Sequence, residues 1–132
     1  MISVGYSQLR SAYKHHKKIA GNDSTTSHYL LLFYAVECGL KAILMARGDI
    51  RTTKDIPDKL RNHDLVALAK ELRLSRLLTE INTTFHVKDG NFSHDIQKVH
   101  EAWRYGVSIR TTDQQTIVRW LRDLCEWIEE NI

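Results

Sequence analysis

The stretch of sequence that decides the fold is YLLLFYAVECGLKAILMA, residues 29–46. A mostly apolar run of this length can cross a bilayer as a helix. Glu37 and Lys41 fall in its middle, however, and a charge at the centre of a bilayer is expensive. Because the run is apolar nearly all round, we predict the buried central helix of a soluble helical protein, over about residues 25–47.

The composition is that of an ordinary globular chain. Of 132 residues, 42% are hydrophobic and 27% are charged, which argues against disorder, collagen and a disulfide miniprotein. The length fits a single domain, residues 1–132. The net charge of +3 permits nucleic acid as a partner without requiring it.

The cellular location is expected to be the cytoplasm. Cys38 and Cys125 lie inside apolar helical patterns, which is typical of reduced, buried cysteines. The N-terminal segment MISVGYSQLR lacks the apolar core of a signal peptide. We therefore expect a reducing compartment and no membrane association.

Helical periodicity covers most of the remaining chain. Apolar residues at three- and four-residue steps predict a first helix over about residues 5–20. Further helical stretches are predicted over 75–85 and 94–105. No run alternates like a strand, so we predict an all-α fold, a bundle with two long helices, the second and the last, and shorter helices between them.

Polar residues mark the predicted helix starts. Asn62 is predicted as the N-cap of a third helix, with Asp64 in its first turn. Thr112 and Gln115 have the spacing of a capping box, which would open the last helix.

Two pairs of polar residues stand out as candidate site residues. Glu37 and Lys41 lie four residues apart on one helix face, surrounded by apolar neighbours, so the pair is either a simple ion pair or a functional notch. His100 and Arg104 share a helix face in the same way, beside Tyr105, and a guanidinium suits phosphate. The alternative for Arg104 is a helix C-terminus contact.

Other polar residues are less distinctive. His63 and Asp64 begin a helix, where capping is the simpler interpretation. His86, His94 and His100 have no common zinc spacing, so we expect no metal site. No Gly-rich phosphate loop is present, and we expect no cofactor.

Three short motifs, taken in order, resemble the HEPN domain family. They are Glu37-Cys38-Gly39-Leu40-Lys41-Ala42, His63-Asp64-Leu65 and Trp103-Arg104-Tyr105-Gly106. The first resembles the family's Glu-x-x-x-Lys signature, and the last resembles the Arg-Tyr-Pro element of its non-nuclease branch. The resemblance covers about residues 5–131. It implies a prokaryotic HEPN-like helical domain, folded as an antiparallel four- to five-helix bundle. It also implies a homodimer, a polar groove and a partner protein from a neighbouring gene.

The sequence departs from the RNase members of that family. Those enzymes carry an Arg followed four to six residues later by a His on a late helix, and no His follows Arg104 in this way. Gly106 also stands where the family usually has Pro.

The first functional hypothesis is a HEPN-like module that binds a nucleotide or RNA without catalysis. Lys41 and Arg104 would contact phosphate, Tyr105 would stack or hydrogen-bond, and Glu37 would orient a cation. The residues assigned to ligand binding are Glu37, Lys41, His63, Asp64, Arg104 and Tyr105.

Two alternatives belong to other functional classes. One is a metal-independent endoribonuclease of the toxin or defence type, with His100 as acid or base and Arg104 on the phosphate. The other is a regulatory or structural partner subunit, antitoxin-like or from a phage-defence system. Trp120 and Trp127, seven residues apart, would then lie in a helix–helix seam, unless both are core residues.

Overall fold

The computed structural model describes residues 2–90 and 92–132, and within these residues the protein is mostly helical. The helices are α1 (Tyr6–Ala20), α2 (Thr26–Gly48), α3 (Leu65–Glu71), α4 (Ser75–Thr79), α5 (Val99–Arg104) and α6 (Thr111–Asn131). The strands are β1 (Thr84–His86) and β2 (Ser93–Asp95). Short 3-10 turns occupy Thr53–Asp55, Asp58–Leu60 and Ile96–Lys98.

Helix α2 is the centre of the fold, as its apolar sequence predicts. Helices α1, α3, α5 and α6 all pack against it. It begins after Thr25, whose hydroxyl accepts a hydrogen bond from the His28 N–H at 3.3 Å. It ends where Asp49 adopts the left-handed conformation. By length and composition α2 is also a candidate membrane span, but 56% of that apolar window is buried inside the protein.

Gly39 lets α2 approach two other helices closely. A Cβ atom at this position would lie 2.8 Å from two atoms of Ile128 in α6 and 3.0 Å from the Tyr13 ring in α1. Both of those side chains are fully buried. A residue without a side chain is therefore what allows three helices to meet here.

A small antiparallel sheet corrects the prediction that the chain has no strands. Strands β1 and β2 pair with Phe85 opposite His94. The helix predicted over 75–85 ends at α4, and the one predicted over 94–105 begins as strand β2 and becomes helical only beyond it. Phe85 explains the hairpin, because the pairing places its ring in the core at 1% exposure.

Both predicted helix caps are also corrected. The N-cap of α3 is Asp64, whose carboxylate accepts from the Ala67 N–H at 3.0 Å, whereas Asn62 is exposed. Helix α6 begins at Thr111 without a side-chain cap, so the capping box of Thr112 and Gln115 does not form.

A contact with the hairpin holds the start of α6 instead. Asp113, in the first turn of α6, accepts hydrogen bonds from the backbone N–H of His86 at 2.8 Å and from its Nδ1 at 3.1 Å. A carboxylate in this position is also favourable for the helix dipole.

The two tryptophans of α6 have different environments. Trp120 is buried, and its indole N–H donates to the Leu77 carbonyl oxygen at 2.9 Å, which places it in the core rather than in a seam. Trp127 is only partly buried, and the Arg47 guanidinium lies 5.2 Å from its ring centre.

Candidate functional site

The buried carboxylate of Glu37 organises the candidate site. Its Oε2 accepts from Lys41 Nζ at 2.8 Å, and its Oε1 accepts from His63 Nδ1 at 2.8 Å. The side chains of Glu37 and Lys41 are only 7% and 15% exposed. The predicted pair therefore forms, but it is a buried pair with His63 as a third member.

The charge on Glu37 determines which atom of its histidine partner donates to it. Burial raises the pKa of the carboxyl, but the hydrogen bond from His63 and the charge of Lys41 outweigh it, and the net pKa is lowered. An ionised carboxylate only accepts hydrogen bonds, so His63 Nδ1 carries a hydrogen. Nε2 is then the ring nitrogen available to another partner.

The backbone also fixes the position of His63. Its φ is 57°, in the left-handed region that few non-glycine residues adopt. The next residue is Asp64, the N-cap of α3. His63 is thus held by its side chain on α2 and by its backbone at the start of α3, and such strained positions cluster at functional sites.

A second histidine lies against the first. The ring centres of His63 and His100 are 4.6 Å apart, and the ring of Phe33 stacks on His100 at 5.2 Å. His100 Nδ1 donates to the Gln97 carbonyl oxygen at 2.6 Å. Burial lowers the pKa of His100, and neighbouring His63 and Arg104 lower it further, against the effect of the Gln97 carbonyl. His100 is therefore neutral near pH 7, with Nε2 unprotonated.

Arg104 brings a full positive charge to the same place. Its Nη2 donates to the hydroxyl of Tyr34, and the Tyr105 ring centre lies 5.8 Å from the guanidinium carbon. The hydrogen bond to Tyr34, followed by the nearby side chain of Tyr105, raises the pKa of Arg104. Among residues 2–90 and 92–132, no carboxylate lies within ion-pairing distance of it. Arg104 is thus exposed, charged and available to an external anion.

These groups line an open cleft of about 520 Å³, here called the basic cleft. Its lining residues are Arg61, Asn62, His63, Gln97, Lys98, His100, Glu101 and Arg104. Lys98 pairs with Glu101 at 3.4 Å, and Arg61 is bound to Asp58 at 3.2 Å and to the Ile56 carbonyl oxygen at 2.6 Å. Within the described residues, the lining cation without a carboxylate partner is therefore Arg104, with Lys98 in the same cleft.

The structure brings together some of the predicted site residues and separates others. His63, His100 and Arg104 meet in the basic cleft, with Glu37 behind His63. Lys41 is bound to Glu37 and does not line the cleft.

Two further predicted residues have other positions. The Asp64 carboxylate caps α3. Tyr105 lines a neighbouring groove rather than the basic cleft.

Sequence reasoning missed two residues that complete the site. Tyr34 lies one helical turn before Glu37. The two residues share a helix face, and this spacing could have placed Tyr34 near the site. Lys98 lies in a 3-10 turn before α5, where the sequence predicted continuous helix, so no periodicity placed it near Arg104.

The other histidines do not join this cluster. His86 bonds to Asp113, and His94 packs its ring 5.6 Å from that of Phe85. Over the described part of the chain, no three metal-ligating side chains come together. The basic cleft is thus lined by two guanidiniums, an ammonium, two imidazoles and the carboxylate of Glu101. Its cationic and imidazole groups can bind an oxyanion and move a proton.

Comparison of the chain with protein-family models, with curated proteins and with solved structures gives no match in any of the three. What the basic cleft binds is therefore inferred from its own residues.

Proposed function

We propose that the protein binds a nucleotide or an RNA strand through phosphate groups held in the basic cleft. The observation that carries the proposal is Arg104, an exposed guanidinium with no carboxylate partner among the described residues, beside Lys98. A guanidinium donates two parallel hydrogen bonds to a phosphate, and phosphate contacts supply most of the affinity for nucleic acid.

The HEPN-like bundle, the homodimer and the cytoplasmic location belong to the same proposal. Support for the first comes from Glu37 and Lys41, which form a buried pair on the long central helix, and from His63, which reaches that pair from the start of α3. Light scattering at micromolar concentration tests the dimer, and a strict monomer would contradict it.

A binding titration with matched variants tests the phosphate site. The probes are a labelled single-stranded RNA and a mononucleotide, and the variants are Arg104→Gln and Arg76→Gln. Arg76 is the control, since it is exposed and lines a different groove on α4. We expect Arg104→Gln to weaken RNA binding by about tenfold or more, because a hydrogen bond to a charged group contributes about 1.5–3 kcal/mol.

Salt dependence provides a second readout of the same experiment. Removal of one phosphate contact should make the slope of log K against log salt shallower by about 0.7 for a single strand. Equal losses in both arginine variants would overturn the site, and no binding of either probe would overturn the function.

The endoribonuclease is a second candidate, favoured by the contact between His63 and His100 in the same cleft as Arg104. His100 Nε2 would take the proton of a ribose 2′-hydroxyl, and the 2′-oxygen would attack phosphorus. The bond from phosphorus to the 5′-oxygen would break, and His63 would return a proton to that oxygen. The products are a 2′,3′-cyclic phosphate and a 5′-hydroxyl. Arg104 would stabilise the negative charge that develops on the phosphate oxygens in the transition state.

Cleavage of RNA in the presence of EDTA tests this candidate. If it is correct, wild type cleaves, and His100→Ala, His63→Ala and Arg104→Ala each abolish cleavage without loss of folding. The cyclic phosphate product is identified by mass. Cleavage that survives in either histidine variant would contradict the mechanism. If wild type leaves RNA intact, the endoribonuclease is excluded and the binding function remains.

A further inference from the structure

A second depression, the hairpin groove, lies directly beside the basic cleft. It has a volume of about 350 Å³ and mostly apolar walls, formed by Phe85, Val87, Ala102, Tyr105 and Val107, with His94 at one side. Lys98 and Glu101 line both the groove and the cleft. The two depressions therefore form one continuous surface, apolar at one end and cationic at the other.

The fold leaves the apolar end uncovered. Tyr105 is 70% exposed and Val107 is 43% exposed. Their positions are fixed by the end of α5, where the Tyr105 N–H donates to the Glu101 carbonyl oxygen at 3.0 Å and the Val107 N–H donates to that of Ala102 at 2.8 Å. Exposed apolar side chains that lie together and are bordered by charge are typical of a binding site.

We propose that the hairpin groove holds an unpaired nucleobase of an RNA strand whose phosphate lies on Arg104. The proposal rests on the proposed function and deepens it, since it names single-stranded RNA as the ligand. Arg104 and Tyr105 are adjacent in the chain, so an anion and a flat ring are accommodated side by side. A nucleotide presents this combination, and an unpaired base stacks on aromatic side chains in many RNA-binding proteins.

Charge complementarity favours this occupant, because the cleft end carries Arg61, Lys98 and Arg104 against the single carboxylate of Glu101. A protein surface seated across both depressions would need an acidic group beside an aromatic one. An RNA strand presents a phosphate beside a flat base at every nucleotide. Bases in a duplex are inaccessible to such a groove, so the ligand is single-stranded.

The test compares a short oligouridylate with an abasic ribose–phosphate oligomer of equal length. Tyr105→Ala removes the ring and Tyr105→Phe keeps it. Phe92→Ala is the matched control, because Phe92 is another exposed aromatic residue, at 77%, that does not line the groove. Melting temperatures confirm that all variants are folded.

We expect Tyr105→Ala to bind oligouridylate about tenfold more weakly, which is within the contribution of one stacked base. Its salt dependence and its affinity for the abasic oligomer should be unchanged. Tyr105→Phe and Phe92→Ala should bind like wild type.

The outcomes separate this inference from the function on which it rests. If oligouridylate binding depends on Arg104 but not on Tyr105, the base site is overturned and the phosphate site stands. An equal loss for the abasic oligomer in Tyr105→Ala would also overturn the base site, because the ring would then act through Arg104. If Tyr105→Ala changes the oligomeric state of the free protein, the groove is a protein interface and the inference fails. If neither oligomer binds wild type, both proposals fail.

Discussion

Replacement of Glu37 by Gln isolates the contribution of its negative charge. Gln has nearly the same shape and keeps one hydrogen-bond acceptor, so packing in α2 is little changed. The charge of Lys41, however, loses its partner in a place where the lysine side chain is only 15% exposed. The variant therefore leaves a mostly buried ammonium without a counter-ion.

The expected loss of stability follows from that burial. Removal of one partner from a buried ion pair destabilises a protein by about 3–5 kcal/mol. Because Gln still accepts a hydrogen bond, we expect the lower end, about 3 kcal/mol. An unfolding entropy of about 2.1 cal/mol/K per residue gives about 0.28 kcal/mol/K for 132 residues. The melting temperature should then fall by about 11 °C.

Thermal unfolding at several pH values provides the assay. The pKa of Glu37 is lowered in the folded protein, from an ordinary value of 4.5. The carboxylate therefore stabilises the fold fully above pH 4.5, and this contribution is lost as the pH falls through the lower, folded pKa. The difference between wild type and Glu37→Gln should be constant near neutral pH and should shrink in acid.

A double variant provides the control. Glu37→Gln combined with Lys41→Met removes both charges, and we expect it to recover at least half of the stability that the single variant loses. A fall of less than about 3 °C in Glu37→Gln, or a double variant less stable than the single one, would refute the reasoning. The ammonium would then be hydrated and the pair would not be buried.

Three further predictions concern the packing at Gly39, the N-cap of α3 and the buried hydrogen bond of Trp120. Gly39→Ala should lower the melting temperature by several degrees, since overpacking costs about 1–3 kcal/mol and the gain in helix propensity offsets only about 1 kcal/mol. Adding Ile128→Val should recover part of the loss. A higher melting temperature for Gly39→Ala alone would contradict the prediction. Asp64→Ala should lower the free energy of unfolding in urea by about 1 kcal/mol, and Asn62→Ala should leave it almost unchanged. A larger loss for Asn62→Ala than for Asp64→Ala would mean that Asn62 is the N-cap. Trp120→Phe should cost at least about 1 kcal/mol by the same measurement, because it leaves a buried carbonyl without its donor, and an unchanged midpoint would exclude that bond.

The long helices could be predicted from the sequence because their signal is local. The predicted spans 5–20 and 25–47 differ from α1 and α2 by no more than one residue at any end. The hairpin could not be predicted in this way, because each of its strands has three residues and shows no alternation. Its stability comes from burial of Phe85 and from contacts with α6, which are tertiary.

The candidate site could be predicted in part for the same reason. Spacing along one helix identified the pair Glu37 and Lys41, and the proximity of His100 to Arg104. The contact of Glu37 with His63 spans 26 positions, and that of Tyr34 with Arg104 spans 70. Such contacts depend on how helices dock, and one sequence carries no local pattern for them.

One helix contacts three of the side chains that line the basic cleft, and this arrangement makes the energies of these residues interdependent. Phe33, Tyr34 and Glu37 occupy neighbouring positions of α2, and each contacts a different cleft side chain. A small rotation of α2 would displace all three contacts at once. Effects of substitutions within this set should therefore not add. A double-mutant cycle between Tyr34 and Glu37 should show a coupling energy, since the Tyr34 ring also lies 6.3 Å from the ring of His63, the partner of Glu37.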